Sequence, residues 1–126
     1  MLYGFPSVAG SGVKAALHHS GVYTTPQALD RATTAGEADD VRAALADWLP
    51  AGAGRHLASV VCMYTLTPDL HFVIGSHPRE PAVIIAGGFS GHGFKFCSVV
   101  GEIVADLAID GATRHPIELF SPTRRT

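Results

Sequence analysis

The sequence predicts a mixed α/β fold, and three observations support this. Short apolar runs such as residues 82–85 are typical of strands, and longer stretches with apolar residues on one face are typical of helices. A glycine-rich turn joins the last clear strand to the last helix. The 126 residues are 47% hydrophobic and 16% charged. Such an apolar chain fits a buried sheet, or a fragment whose missing half covers an apolar face.

The first half of the chain is predicted to contain two strands and a helix. The strands cover residues 2–5 and about 12–18. Thr25 followed by Pro26 is a helix-start signal, because a capping side chain precedes a proline at the first helical position. The clearest amphipathic helix covers residues 38–49, where apolar side chains recur on one face.

The second half is predicted to contain three strands, a helix and a final extended piece. Strands at about residues 57–65 and 71–75 are separated by a turn. Residues 82–86 form a third strand, whose continuous apolar character indicates full burial. The last helix covers residues 99–110 with a wide apolar stripe, and residues 117–120 are extended.

Charge and cysteine content exclude several classes of protein. The net charge of −2 implies no bulk attraction to nucleic acid or to a membrane surface. No apolar run approaches membrane-spanning length, and the first residues carry no sign of a signal peptide. Cys62 and Cys97 do not make a disulfide framework. We therefore expect a cytoplasmic protein.

One nucleotide-binding pattern is expected to be a decoy. Residues 10–15 match G-x-G-x-x-A, and Asp30 lies at about the right distance for a ribose contact. Pro6 interrupts the preceding run, however, and Gly21 breaks the following stretch before a crossover helix could form. A turn between two strands is the favoured interpretation.

The seven histidines do not predict a metal site. His18 and His19 are adjacent, so they would point to opposite faces of a strand. His71 and His77 have no carboxylate or cysteine at the spacing of a usual ligand set. We therefore expect no bound metal.

The glycine-rich run at residues 86–96 is the strongest functional candidate. It lies between a predicted strand and a predicted helix, so backbone N–H groups and the positive end of the helix dipole face one spot. Lys95 in the first helical turn opposes the dipole, which makes it a functional candidate. The run predicts a corner that stabilises a carboxylate or an electron-rich cofactor ring.

Two other residues have ordinary structural interpretations when taken alone. By composition, Cys62 is a buried small apolar residue or a partner for Cys97. Lys14, between two apolar residues on a predicted strand, would usually be a solvated edge lysine.

Several segments taken together resemble one known family. The matching segments are residues 3–7, 12–18, 62–69, 71–74, 77–78, 86–96 and 111–120. In this order and spacing they are similar to the C-terminal part of monomeric sarcosine oxidase and N-methyltryptophan oxidase, which are FAD-dependent amino acid oxidases. The resemblance extends over essentially the whole chain.

The resemblance implies a fold and a reaction. Residues 1–65 would be a portion of the substrate domain, and residues 66–126 would carry the last strand and C-terminal helix of the FAD domain. The family oxidises a small N-methyl amino acid, and oxygen reoxidises the flavin to give hydrogen peroxide. The N-terminal FAD-binding portion of the family is missing from this chain. We therefore expect the chain to be inactive alone, with a homo-oligomer as one possible state.

The resemblance also implies a role for individual residues. Cys62 matches the cysteine that carries FAD covalently. The residues implied in catalysis are Lys14, which would activate oxygen, and His18, which would lie in the substrate pocket. The implied substrate-binding residues are Tyr3, Tyr64, Gly91 and Lys95. The implied cofactor-binding residues, besides Cys62, are Gly88, Phe89, Gly91 and Gly93.

Two other functions remain open at this stage. The chain could be a truncated, non-catalytic remnant that acts as an oligomerising or interaction module, because its high apolar content would favour self-association. It could also be part of a glycine oxidase-like enzyme with non-covalent FAD. Cys62 in its Met-Tyr-Thr context weighs against that second possibility.

Overall fold

The computed structural model describes residues 1–124, which form parts of two compact units. The units are Met1–Cys62 and Met63–Thr126, a division three residues before the boundary expected after residue 65. The assignment of one unit to a substrate domain and the other to an FAD domain stays a prediction. Within the described residues, no helix has both the length and the apolar character needed to cross a membrane.

The first unit begins with a two-stranded antiparallel sheet. Strand β1 is Leu2–Phe5 and strand β2 is Lys14–Leu17. Serine side chains hold the loop between them, since the Gly12 amide donates to Ser7 Oγ at 3.2 Å. Both predicted strands are confirmed. The G-x-G-x-x-A pattern lies in this loop and in β2, as a turn between strands requires.

Helix α1, Ala35–Trp48, starts three residues before its predicted start. A capping box explains the start, because Thr34 Oγ1 accepts from the Glu37 amide at 3.2 Å and the Glu37 carboxylate accepts from the Thr34 amide at 2.7 Å. These bonds lower the pKa of Glu37. The predicted apolar face remains largely uncovered, with Trp48 82% exposed.

Three sequence predictions are wrong. Thr25 begins a single turn instead of a helix. The Ala28 amide donates to Thr25 O at 3.1 Å, and no helical turn follows it. Residues 57–65 are irregular, since within the described chain no strand pairs with them. The extended piece at 117–120 is instead a 3₁₀ turn, Glu118–Phe120, closed by a bond from the Phe120 amide.

The second unit is built from a hairpin and a helix. Strands β3 (Val73–His77) and β4 (Glu80–Gly87) are antiparallel. Helix α2, Cys97–Ile109, packs on them. The predicted strands and helix are confirmed in kind, but the full burial expected of β4 is not. Val83 is 48% exposed, and no residue of β4 is fully buried.

The core lies in the second unit. Its buried apolar residues are Phe72, Ile74, Ile103 and Leu107. Phe72 is its aromatic centre, with ring centroids 5.0 Å from Phe89 and 5.5 Å from Phe120. By contrast, none of the residues of the first unit is fully buried. Among the described residues, this cluster provides the buried apolar core that stabilises the hairpin and helix.

Candidate functional site

The glycine-rich turn connects β4 to α2, as the sequence predicted. After β4, the chain passes through residues 88–93 and a 3₁₀ turn, Phe94–Phe96, before α2 begins. Gly91 has φ +79°, and a Cβ atom there would lie 2.5 Å from Cδ2 and 2.8 Å from Cζ of Tyr64. Glycine is required at this position, because the Tyr64 ring occupies the space of a side chain.

Two further glycines allow close packing around the turn. At Gly88, where φ is +60°, a Cβ atom would lie 2.5 Å from Thr67 Cγ2. At Gly93, it would lie 2.6 Å from Phe89 Cβ. The structure therefore brings together five predicted site residues of this unit by direct packing or chain adjacency: Tyr64, Gly88, Phe89, Gly91 and Gly93.

The backbone amides of the turn divide into two groups. The Ser90 amide donates to Thr65 O at 3.0 Å, and the His92 amide donates to Phe89 O at 3.0 Å. Among residues 1–124, the amides of Gly91 and Gly93 have no backbone carbonyl as acceptor. These two N–H groups precede a helix, so the turn can donate hydrogen bonds to an anionic or electron-rich group.

Lys95 lies at the edge of this arrangement. It is exposed and belongs to the 3₁₀ turn, so it precedes α2 instead of lying in its first turn. Its Nζ is 5.8 Å from the centroid of the Phe96 ring. An ammonium group near the start of a helix adds a full positive charge to the partial charges of the turn.

The predicted residues of the first unit group on its small sheet. Lys14 faces Phe5 across the strands, and its Nζ lies 5.4 Å from the Phe5 ring centroid. The rings of Tyr3 and His18 meet edge to face with centroids 6.1 Å apart. The structure thus pairs Tyr3 with His18, whereas Lys14 is exposed at the other end of the strand pair.

Cys62 is the last residue of the first unit. Both Cys62 and Cys97 are exposed, and in the described chain neither forms a disulfide. The composition-based interpretation of Cys62 as a buried residue or as a partner of Cys97 is therefore wrong. An exposed thiol can act as a nucleophile and attack an electrophile.

An ion pair that the sequence did not reveal anchors the C-terminal segment. Arg124 donates to both carboxylate oxygens of Asp69, at 2.6 and 2.8 Å, and also to His71 O at 3.1 Å. The guanidinium beside it lowers the pKa of Asp69 well below its usual range, and the carboxylate raises the pKa of Arg124. The planar bidentate geometry fixes the segment after α2 to the turn before β3.

A second cluster could hold a metal ion. Ligand atoms of Glu102, Asp106 and His115 lie within 4.8 Å of one another. His115 Nε2 is 3.3 Å from Glu102 Oε1, outside hydrogen-bond geometry. Arg114 and Thr113 already donate to the two carboxylates, at 2.6 and 2.7 Å. His115 and Arg114 lower the pKa of Glu102. The expectation of no bound metal stays a prediction.

The second unit also contains an apolar cavity of about 370 Å³. Phe72, Phe96, Val100 and Phe120 are among the residues that line it. None of the predicted site residues lines this cavity. It is a recess of the core beside α2, separate from the packing of Tyr64 on the turn.

Sequence reasoning missed Ser90, the buried polar residue of the turn. It is 1% exposed, and its φ of +51° is unusual for a non-glycine residue. Its partner Thr67 was also missed, because a contact over 23 residues has no local sequence signal. The available signal was the serine itself, a hydroxyl residue within a run of glycines.

The fold and this turn place the chain in a known class. Residues 4–107 match the model of the family described as FAD dependent oxidoreductase, so the chain belongs to that family. It is 49% identical to the monomeric sarcosine oxidase of Streptomyces avermitilis over 98% of its own length. It is 33% identical to the N-methyl-L-tryptophan oxidase of Yersinia pestis, again over 98% of its length.

A solved structure agrees with the family. The L-proline dehydrogenase from P. horikoshii matches 91% of this chain and 30% of its own, with a TM-score of 0.74 and 29% identity. The expected mixed α/β fold of an FAD-dependent oxidoreductase is therefore confirmed. The chain spans about a third of the length of the curated relatives, 33% of both the Streptomyces avermitilis and the Yersinia pestis enzymes.

Proposed function

We propose that this chain forms the C-terminal third of an FAD-dependent oxidase of N-methyl amino acids. The similarity to a sarcosine oxidase over nearly the whole chain carries this proposal. The packing of Tyr64 on Gly91 supports it, because that contact gives the glycine-rich turn a fixed shape. The substrate would be a small secondary amino acid, and the reaction would release hydrogen peroxide.

The residues of the turn fit the isoalloxazine ring of FAD. The amides of Gly91 and Gly93 are available as donors within the described chain. Apart from its chain neighbours, none of residues 1–124 has an atom within 4 Å of the place of a Gly87 Cβ, which leaves room beside the end of β4. When bound, FAD would supply the electron acceptor, taking a hydride equivalent (two electrons and one proton) from the substrate and passing the two electrons to oxygen. Gly88, Phe89, Gly91 and Gly93 would bind the ring through their backbone.

Cys62 would attach the flavin covalently. Its thiol is exposed, as a nucleophile must be. A covalent bond retains the cofactor without requiring every noncovalent contact to be strong. Attachment through Cys62 is the feature that separates this proposal from a glycine oxidase-like enzyme with non-covalent FAD.

Two lysines would have different electrostatic tasks. Lys95 would pair with the substrate carboxylate, because it is an exposed cation two residues after Gly93 of the turn. Lys14 would stabilise the negative charge that develops on oxygen as it is reduced. The ring of Phe5, 5.4 Å from Nζ, gives the Lys14 side chain a defined direction.

The remaining residues would shape the substrate pocket. Tyr3 and His18 meet edge to face, so each restricts the rotamers of the other. In the proposal His18 holds or moves a proton near the amine, and Tyr3 and Tyr64 exclude water from the reacting carbon. Gly91 lets the backbone approach the substrate.

We also infer that the 126-residue chain is inactive by itself. In the first unit no side chain is fully buried, and Val22 and Trp48 are 90% and 82% exposed. An FAD-binding portion of an oxidase would supply both the nucleotide site and the cover for such surfaces. The same exposure also favours a second candidate, a non-catalytic module that self-associates, and light scattering at low concentration tests it.

A chimera tests the proposal directly. This chain would replace the segment that it matches in the Streptomyces avermitilis sarcosine oxidase, and the intact mass and absorbance would be measured after denaturation. We expect covalent FAD in the chimera and in its Cys97→Ser variant, but not in Cys62→Ser. Cys97 is the matched control, because it is also an exposed thiol. Covalent FAD in Cys62→Ser would contradict the attachment site.

The catalytic assignment has its own measurement. Sarcosine and oxygen are supplied to the flavin-loaded chimera, and hydrogen peroxide is measured. We expect turnover in the chimera and none from the 126-residue chain alone. If none of the N-methyl amino acids tested bleaches the flavin absorbance of the loaded chimera, the proposed substrate class is refuted. Peroxide production by the 126-residue chain alone would refute its inactivity.

A further inference from the structure

Ser90 carries the buried hydroxyl of the glycine-rich turn, and no role has yet been given to it. The residue is 1% exposed and has φ +51°, a conformation that glycine adopts at lower cost. A buried hydroxyl without partners would be unfavourable. The serine must therefore contribute interactions that a glycine could not make.

The hydroxyl of Ser90 joins two separate segments. It accepts a hydrogen bond from the Thr67 amide at 3.3 Å and donates one to Gly88 O at 3.1 Å. Thr67 Oγ1 lies 3.3 Å from the same oxygen. The backbone amide of Ser90 adds a bond to Thr65 O at 3.0 Å. We call this set of bonds between Ser90 and residues 65–67 the Ser90 bridge.

The Ser90 bridge lies next to the packing of the Tyr64 ring on Gly91, the contact that defines the candidate site. Gly91 follows Ser90 directly, and the Tyr64 ring packs against Gly91. Tyr64 precedes Thr65, the acceptor of the Ser90 amide. One turn thus holds both the backbone after Tyr64 and the ring of Tyr64. Cys62 is two residues earlier in the same segment.

We propose that Ser90 is a positioning residue, which fixes the segment that follows Cys62 in the chain, with Tyr64, relative to the glycine-rich turn. This inference rests on the proposed function, because the turn is there assigned to the flavin. Ser90 itself touches neither substrate nor cofactor in this scheme. Its hydroxyl instead holds residues 65–67, which follow the attachment residue Cys62 in the chain, at the turn assigned to FAD.

Amide hydrogen exchange in the 126-residue chain tests the Ser90 bridge without any flavin. Ser90→Ala removes the acceptor of the Thr67 amide, so exchange at Thr67 should become about tenfold faster. Ser90→Gly should give the same acceleration, although it also relieves the backbone strain. Ser98→Ala, on an exposed residue of α2, should change nothing at Thr67. Unchanged Thr67 exchange in both Ser90 variants would overturn the proposal.

The rate of covalent attachment in the chimera tests the link to function. With FAD in excess, Ser90→Ala and Ser90→Gly should bind FAD but attach it about tenfold more slowly than the unmodified chimera. A purely structural role would reduce the amount of folded, FAD-binding protein without slowing attachment in the remainder.

The outcomes separate this inference from the function on which it rests. Normal attachment rates in both Ser90 variants, with faster Thr67 exchange, would overturn the positioning role and leave the proposed function intact. An unmodified chimera that takes up no FAD would overturn the proposed function and the positioning role together.

Discussion

Substitution of Gly91 by alanine tests the packing on which the candidate site depends. Two costs add at this position. A non-glycine residue at φ +79° costs about 1–2 kcal/mol. The new Cβ atom would lie 2.5 Å from Tyr64 Cδ2, about 1 Å closer than an ordinary contact, and such overpacking costs about 1–3 kcal/mol. We therefore expect Gly91→Ala to lower the free energy of unfolding by about 2–5 kcal/mol.

Gly111→Ala supplies the matched control in the same unit. Gly111 has φ +72°, and its Cβ atom would have no neighbour within 4 Å in the described part of the chain, so only the backbone cost of about 1–2 kcal/mol applies. Urea unfolding of both variants, followed by circular dichroism, gives the two free energies. Equal destabilisation would refute the packing of Tyr64 on the turn. Gly91→Ala should lose more stability than Gly111→Ala. If this excess disappears when both changes are made in a Tyr64→Ala background, the packing is confirmed.

Two further predictions concern features away from the turn. Because the Arg124 guanidinium lowers the folded-state pKa of Asp69, this carboxylate stabilises the fold above its ordinary pKa of 3.8, and the contribution is lost as pH falls through the lower value. Urea unfolding at neutral and acid pH should show that the free energy of unfolding depends less on pH in Asp69→Asn than in the unmodified chain. Identical pH profiles for the two proteins would contradict this prediction. Thr34→Ala should destabilise α1 by about 1 kcal/mol through loss of the capping box, whereas Thr33→Ala should not; equal effects would argue against the cap.

Local patterns predicted the elements with strong periodicity. Helices α1 and α2 and strand β4 follow from apolar spacing and nearby glycine or capping residues. Residues 57–65 have strand-forming composition, but strand formation requires a neighbour, and sequence cannot supply one. The burial expected of Val83 failed for a related reason, because coverage of a strand depends on distant segments.

The candidate site was predictable only in part. The glycines of the turn and Lys95 stand out in the sequence, because glycine before a helix has a direct conformational meaning. The roles of Thr67 and Ser90 depend on bonds across 23 residues, and the Asp69 pair with Arg124 spans 55 residues. Such contacts are set by the whole fold, so no window of sequence reveals them.

The aromatic cluster around Phe72 has a consequence during protein synthesis. Phe120 stacks on Phe72 but is made 48 residues later. At about 5–20 residues per second, the hairpin therefore waits several seconds on the ribosome before its last aromatic neighbour is made. During that interval the apolar side of β3 is open to chaperones and to neighbouring nascent chains. Slow codons between these two positions would lengthen this exposure without altering the finished protein.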